Sequence, residues 1–408
     1  MGHHHQEFDL NEKYTFSPKL KQLSLILIVV GLVAFAAGAF MSKDNSTRII
    51  ADLLQNTVFF TLICLISVFF IAFNYMANAG WSVLIKRIPE AISQMVPIMA
   101  SILGVLMLYI VFAKRSDIFM WLDISVIKNA ETRELLEAKS GFLNVPFFLV
   151  RIAAYVLVWS LCAVTLRKYS LEEEKMPAGS LKYWRKSTYL GGFFLVFFAV
   201  TISTSTWDWL MSIDTKWYST MYGWYVFVSA LVSGISMIML VIQYLRSQGH
   251  LKNITDEHVH DLGKFMFAFS IFWTYLWYSQ YMLIWYSNNP EETIYFRQRM
   301  DHYKVLFFIN LILNFVSPLL ILMTRGNKRK AKVVVFVAAV IILGHWIDFY
   351  QMVMPGTIGN NWTIGLMEIG LPLFYIGLII NRTFTQLEKA PLVPKNHPYL
   401  NESLNHHV

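Results

Sequence analysis

Trp207-Asp208-Trp209-Leu210-Met211-Ser212-Ile213-Asp214-Thr215-Lys216-Trp217-Tyr218-Ser219-Thr220-Met221-Tyr222-Gly223-Trp224-Tyr225 is a run of aromatic rings around two carboxylates. Apolar segments flank it, at 188–209 and 219–243. Each has the length of a helix that crosses the hydrocarbon core, about 20 residues. Tryptophan and tyrosine favour the membrane–water boundary, where the ring is in apolar surroundings and the N–H or O–H meets water. The stretch is therefore expected at a membrane face. Asp208 falls inside the end of the first segment, where an unpaired charge is costly.

The composition extends this reading to the whole chain. Of 408 residues, 56% are hydrophobic and 15% charged, with mean hydropathy +0.47. Soluble proteins carry about 25% charged residues. Apolar runs recur from end to end, which implies an all-α polytopic membrane protein; a β-barrel would alternate over short segments. The net charge of +8 is modest. It fits basic loops on one membrane face and implies no nucleic-acid partner. The two cysteines, Cys64 and Cys162, lie inside apolar segments. They are too few to hold an iron–sulfur cluster, and no haem-attachment or zinc spacing occurs. The first apolar segment reads as a span rather than a cleaved leader. His3 to His5 and His406-His407 read as a tag or a natural tail, not a metal site.

Ten spans are expected, near 22–41, 53–77, 93–113, 145–166, 188–209, 219–243, 263–286, 304–324, 333–353 and 363–382. The organisation is then an N-terminal segment 1–21, a membrane domain 22–383 and a tail 384–408. Lys and Arg concentrate at the N-terminus, in the even-numbered loops and in the tail, which puts both termini in the cytoplasm. The third loop, with Lys114, Arg115, Lys128, Arg133 and Lys139, runs against the bias. Residues 131–139 read as a short surface helix. A second helix is expected to start at Pro290-Glu291-Glu292 and to continue through Arg299 and Asp301. Both helices are candidate docking surfaces. Gly80 to Glu90 reads as an interfacial amphipathic turn, and Glu172-Glu173-Glu174 as a solvated loop. Ser229, Ser233 and Ser236 read as helix-packing hydroxyls. Pro318 and Pro372 are each expected to interrupt a helix.

Ionisable groups inside spans must be paired or hydrated, so they mark candidate sites. Arg151, Asp208, His345, Asp348 and Glu368 lie within spans; His260, Asp261 and Lys264 start the seventh. His345 and Asp348 are three residues apart, on one helix face. Together these residues would form two proton half-paths, bridged by hydroxyls such as Thr201, Thr204 and Ser205. The bland alternative is that Arg151 pairs with a carboxylate and the others bond neighbouring helices.

Several of these stretches also carry a resemblance. The run from Ser212 through Asp214, Trp217 and Tyr218 to Tyr225 resembles the outer corner of NrfD-like membrane subunits of the polysulfide-reductase type. So does the span that opens His260-Asp261-Leu262-Gly263-Lys264 and closes Trp285-Tyr286-Ser287-Asn288-Asn289-Pro290. Asn74-Tyr75-x-x-Asn78-Ala79-Gly80-Trp81 and the span count fit the larger members, in particular the F subunit (ActF) of bacterial alternative complex III. The resemblance implies two four-helix bundles plus two extra helices in a bacterial inner membrane, surrounded by phospholipid. It implies a quinol-oxidising complex with quinol as substrate. Partners would be a second NrfD-like subunit, an iron–sulfur protein, multihaem and monohaem cytochromes c, and a terminal oxidase. Haem c and iron–sulfur clusters would reside in those partners, none in this chain. Quinol-binding members carry histidine after the corner tryptophan; here Tyr218 stands there. A phenol with a pKa of about 10 is a poor proton acceptor at neutral pH, which favours the F-type, proton-conducting role. The alternatives are a direct quinol site at Asp208, Asp214, Trp217 and Tyr218, a purely structural anchor, and a secondary transporter. No inverted repeat supports the last.

Overall fold

The computed structural model describes residues 10–406 apart from 44, 178 and 361. His3 to His5 and His407 therefore lie outside the described residues. In chain order the helices are α1 (Pro18–Met41), α2 (Ser46–Met76), α3 (Arg87–Ser93), α4 (Val96–Phe112), α5 (Ala130–Ala138), α6 (Val145–Glu173), α7 (Lys182–Trp209), α8 (Tyr222–Ser247), α9 (Asp256–Ser287), α10 (Pro290–His302), α11 (Lys304–Leu311), α12 (Ser317–Leu322), α13 (Arg325–Arg329), α14 (Ala331–Ile358), α15 (Leu366–Leu387) and α16 (Leu400–Leu404). Among the described residues, nine helical segments are long and apolar enough to cross a membrane. The tenth expected span is α9. Its 32 residues have crossing length, but Trp, Tyr and Gln280 occupy positions where the other spans carry Leu and Ile.

Two four-helix bundles lie side by side. One is α3/α4, α2, α6 and α7; the other is α8, α9, α11/α12 and α14. α2 packs on members of both, and 89% of its apolar core is buried. The two extra helices, α1 and α15, pair with each other along their length. Ser24, Gly31 and Gly38 recur every seven residues and are the buried positions of α1. Gly31 meets Gly370, Ser24 meets Gly377 and Gly38 meets Met367 of α15, so the two backbones touch. A Cβ on Gly31 would sit 2.4 Å from the Phe374 backbone nitrogen, and one on Gly370 2.6 Å from that of Phe35. Small residues at such a seam allow dispersion contacts that stand in for the missing hydrophobic drive between helices in lipid.

Both termini meet at one end. Lys13 bridges Pro391, the Leu392 N–H donates to the Glu12 carbonyl at 2.9 Å, and Glu12 accepts from the Leu251 N–H. At the opposite, far end, asparagine starts α2, α5, α6 and α10. Asn45, Asn129, Asn144 and Asn289 each accept a backbone N–H of the first turn, satisfying donors that have no intrahelical partner. The helices expected at 131–139 and after Pro290 are α5 and α10.

Three local expectations need correction. Gly80 to Glu90 is not interfacial: Lys86, Arg87 and Glu90 are buried. Glu90 pairs with Arg87 (2.8 Å) and with Arg167 of α6 (2.7 Å), while Lys86 reaches Glu173 (3.3 Å) and Arg87 reaches Glu174 (2.5 Å). The glutamates at 173 and 174 are thus counter-ions, not loop solubility. Pro372 lies inside an unbroken α15. Pro318 does disturb its helix: a π-helical turn, Ile312–Val316, precedes it, because proline cannot donate to the turn before it.

Candidate functional site

Asp348 occupies the middle of the second bundle and is buried. Four donors converge on it. Oδ1 accepts from the Tyr225 hydroxyl and from Asn310 Nδ2 (2.8 Å). Oδ2 accepts from Ser229 Oγ (3.0 Å) and Trp273 Nε1 (3.2 Å). A carboxylate offers about four acceptor positions, so its hydrogen-bonding capacity is filled without a cation. Ser229, expected as packing only, is one of these donors. His345 Nδ1 stands 3.7 Å from Oδ2, and both its ring nitrogens are buried without a hydrogen-bond partner.

The local sequence explains why Asn310 can reach. The π-helical turn shifts the register between α11 and α12, and Asn314 Nδ2 donates to Asn310 Oδ1 at 2.5 Å. Gly344 of α14 leaves room for this: a Cβ there would lie 2.2 Å from Asn314 Oδ1. Inserted turns of this kind recur at functional sites. The signal in the sequence was Pro318, with two asparagines a helical turn apart before it.

Toward the far end, a chamber of about 20 Å³ lies between Asp348, Tyr225, Gln280, Arg299 and Gln351, room for one water. Arg299 closes it. Its guanidinium donates to the carbonyls of Gln351 (3.1 Å) and Tyr295 (2.8 Å) and to Asp214 Oδ2 (3.3 Å), and lies flat over the Tyr295 ring. Tyr295 in turn stacks on Trp217, with centroids 3.9 Å apart. So Tyr295 and Arg299, expected on a docking surface, are buried anchors that tie α10 to the corner. Burial and the Arg299 cation act in opposite senses on the Tyr295 phenol, and burial prevails, raising it to about 12. Beyond Asp214, a cleft of about 330 Å³ opens, lined by Lys139, Trp207, Asp214, Trp217 and Tyr218 among others. Tyr218 is exposed.

The other expected site residues fall into three separate places. Arg151 grips Asp208 in the first bundle, at 2.8 and 2.6 Å, under the rings of Phe142 and Phe147. The Tyr155 hydroxyl adds a bond to Asp208 (3.1 Å). Glu368 is not deep in its span. It is a first-turn residue of α15, accepting from the Gly365 N–H (2.9 Å) and pairing with Arg48 (2.6 Å). Asp261 lies at the terminal end between Lys264 (2.5 Å) and His406 (2.7 Å), beside His260. Of the hydroxyls expected to bridge along α7, Thr201 and Ser205 bond the backbone of their own helix, whereas Thr204 Oγ1 lies 2.8 Å from the Tyr155 hydroxyl, which also reaches Asp208. Sequence reading also missed Arg48 and Asp52. Among the described residues, no three His, Cys, Asp or Glu side chains gather as a metal site.

A family model described as polysulphide reductase, NrfD, matches residues 142–359, more than half of the chain. The chain belongs to that family. It is a multi-pass membrane protein, and members of the family are integral membrane subunits of respiratory redox complexes, beside iron–sulfur and cytochrome subunits. The corner, Asp208, Arg299 and Asp348 all fall inside the match. No curated protein matches the chain.

Proposed function

We propose that this chain is the F-type subunit of a bacterial alternative complex III and conducts protons through its second bundle. It carries no redox centre of its own. Quinol is oxidised, and electrons move, in partner subunits that hold the haems c and iron–sulfur clusters. The end with both termini faces the cytoplasm, following the basic residues there. The observation that carries the proton role is Asp348, a buried carboxylate held by four donors next to a histidine whose ring nitrogens have no hydrogen-bond partner. Two of the donors are hydroxyls. When Asp348 takes a proton on one oxygen, the Tyr225 or Ser229 O–H must turn away, and that rotation can pass its own proton onward. The indole and amide N–H groups cannot do this; they fix the carboxylate. His345 is the neighbour that can receive or supply the proton toward the terminal end. The chamber and Arg299 lie on the other side.

The test is proton translocation per electron in reconstituted complex. Asp348→Asn should lower the stoichiometry while quinol oxidation by the partners continues. An unchanged stoichiometry removes Asp348 from any obligatory path.

The corner cleft beside Asp214, Trp217 and Tyr218 favours a second reading, a quinol head group bound by this chain. A photoreactive quinone analogue decides between the two: labelling of residues 207–225 supports the second reading, and labelling of the partner NrfD-like subunit alone removes it.

A further inference from the structure

Asp52 is a buried acid that the Asp348 site does not use. On α2, Arg48, Asp52 and Asn56 recur every four residues and share one face. Arg48 is committed to Glu368, through Nε (2.8 Å) and Nη2 (2.6 Å). Asp52 Oδ1 accepts from Asn56 Nδ2 (2.9 Å), but Oδ2 has no partner, although the residue is 0% exposed. Gln55 Oε1, nearly one turn further on, is a second buried acceptor without a partner. Neither amide is at liberty to turn round. Asn56 Oδ1 accepts from Trp346 Nε1 (2.8 Å), and Gln55 Nε2 donates to the Trp346 carbonyl (3.3 Å).

The charged side chains facing Asp52 are Glu368 and Arg48. The remaining titratable neighbours are phenols with partners of their own: Tyr350 donates to the Thr363 carbonyl and Tyr375 bonds Thr57. Two carboxylates therefore face one cation in a water-poor site. Buried polar atoms are seldom left without partners, and a charge in excess is expensive there.

We infer that Asp52 and Glu368 form a second protonatable site, in which two carboxylates share one arginine and one exchangeable proton that resides on Asp52. A proton on Oδ2 converts the orphan acceptor into a donor, and Gln55 Oε1 is an acceptor on the same face. The site lies across α14 from Asp348: Trp346 and Tyr350 face it, whereas His345 and Asp348 face α8 and α9. It does not depend on the Asp348 path.

Infrared spectroscopy of the purified protein, in complex with its partners, reads the proton directly. The wild-type spectrum minus that of Asp52→Asn should contain one protonated-carboxyl C=O band that shifts in D2O. Glu368→Gln should also lose that band, because Asp52 then becomes the counter-ion of Arg48. Asp348→Asn should leave it in place, so failure of the Asp348 reading and failure of this one are distinguishable. An ionised-carboxylate band in the Asp52→Asn difference spectrum overturns the inference. A wild-type band abolished by sodium but not by potassium also overturns it, because the site then takes a sodium ion. Should Asp52→Asn fail to assemble, Glu368→Gln decides alone: retention of the band overturns the inference, and its loss supports it.

Discussion

Arg151 and Asp208 form a bidentate pair, and that geometry gives Asp208 a structural role at the corner. Both carboxylate oxygens are engaged by one guanidinium, which parallel N–H donors hold in a fixed plane. A carboxylate so held is a strut between α6 and α7. Replacing Asp208 by Asn leaves a buried guanidinium without its counter-ion. The expected cost is about 3–5 kcal/mol, read as a fall in thermal stability and in yield of assembled complex. Replacing both residues by apolar ones of similar size should recover most of the loss. Turnover per assembled complex should stay the same, and a selective loss of turnover would return Asp208 to the proton path.

Gly344→Ala tests how Asn310 is placed. The new methyl meets Asn314 Oδ1, and overpacking of this kind costs about 1–3 kcal/mol. If Asn314 positions Asn310, the variant should also reduce proton translocation, as Asn310→Ala should. A stability loss with full translocation would mean that Asn310 keeps Asp348 in place without help.

Gly31→Val places a branched side chain against the Phe374 backbone. Helix α1 has little else to hold it, since only 17% of its apolar core is buried. The pair should separate, and cysteines replacing Ser24 and Asn381, whose side chains touch across the seam at 3.1 Å, should lose their cross-link. Retention of the cross-link would show that α1 is fixed by its flanking segments.

His397 supplies a pH prediction. It lies in the tail beside Lys86, and burial, aided by that cation, lowers it to about 2. The unfolded chain binds the proton at about pH 6.5, while the folded one stays neutral. Stability is therefore complete above pH 6.5 and falls as the pH drops below it, by up to about 1.4 kcal/mol per unit. His397→Gln should flatten the acid side of the stability profile. An unchanged slope would mean that other groups set it.

The sequence exposed the spans well because lipid demands long apolar runs, and it exposed the pairing need of Arg151. It hid features that depend on where a helix begins. α2 starts at Ser46, seven residues before the expected span, with Asn45 as its cap; Arg48 and Asp52 consequently read as loop residues. It also hid contacts between distant segments. Nothing near Glu90 in the chain announces Arg167, and nothing near Trp217 announces Tyr295. Asn310 was hidden because a π-helical turn breaks the periodicity that would have placed it on the bundle face.

The pairing of α1 with α15 sets a clock on biosynthesis. Helix α1 is complete at Met41, yet its partner begins at Leu366. At ribosomal rates of about 5–20 residues per second, the first span waits roughly 15–65 s for the surface it will dock on. Through that interval its glycine face is open to lipid or to other nascent helices. An insertion chaperone that shelters a small-residue helix would find its natural client here, and premature termination before α15 would leave α1 as an unclaimed dimerisation element in the bilayer.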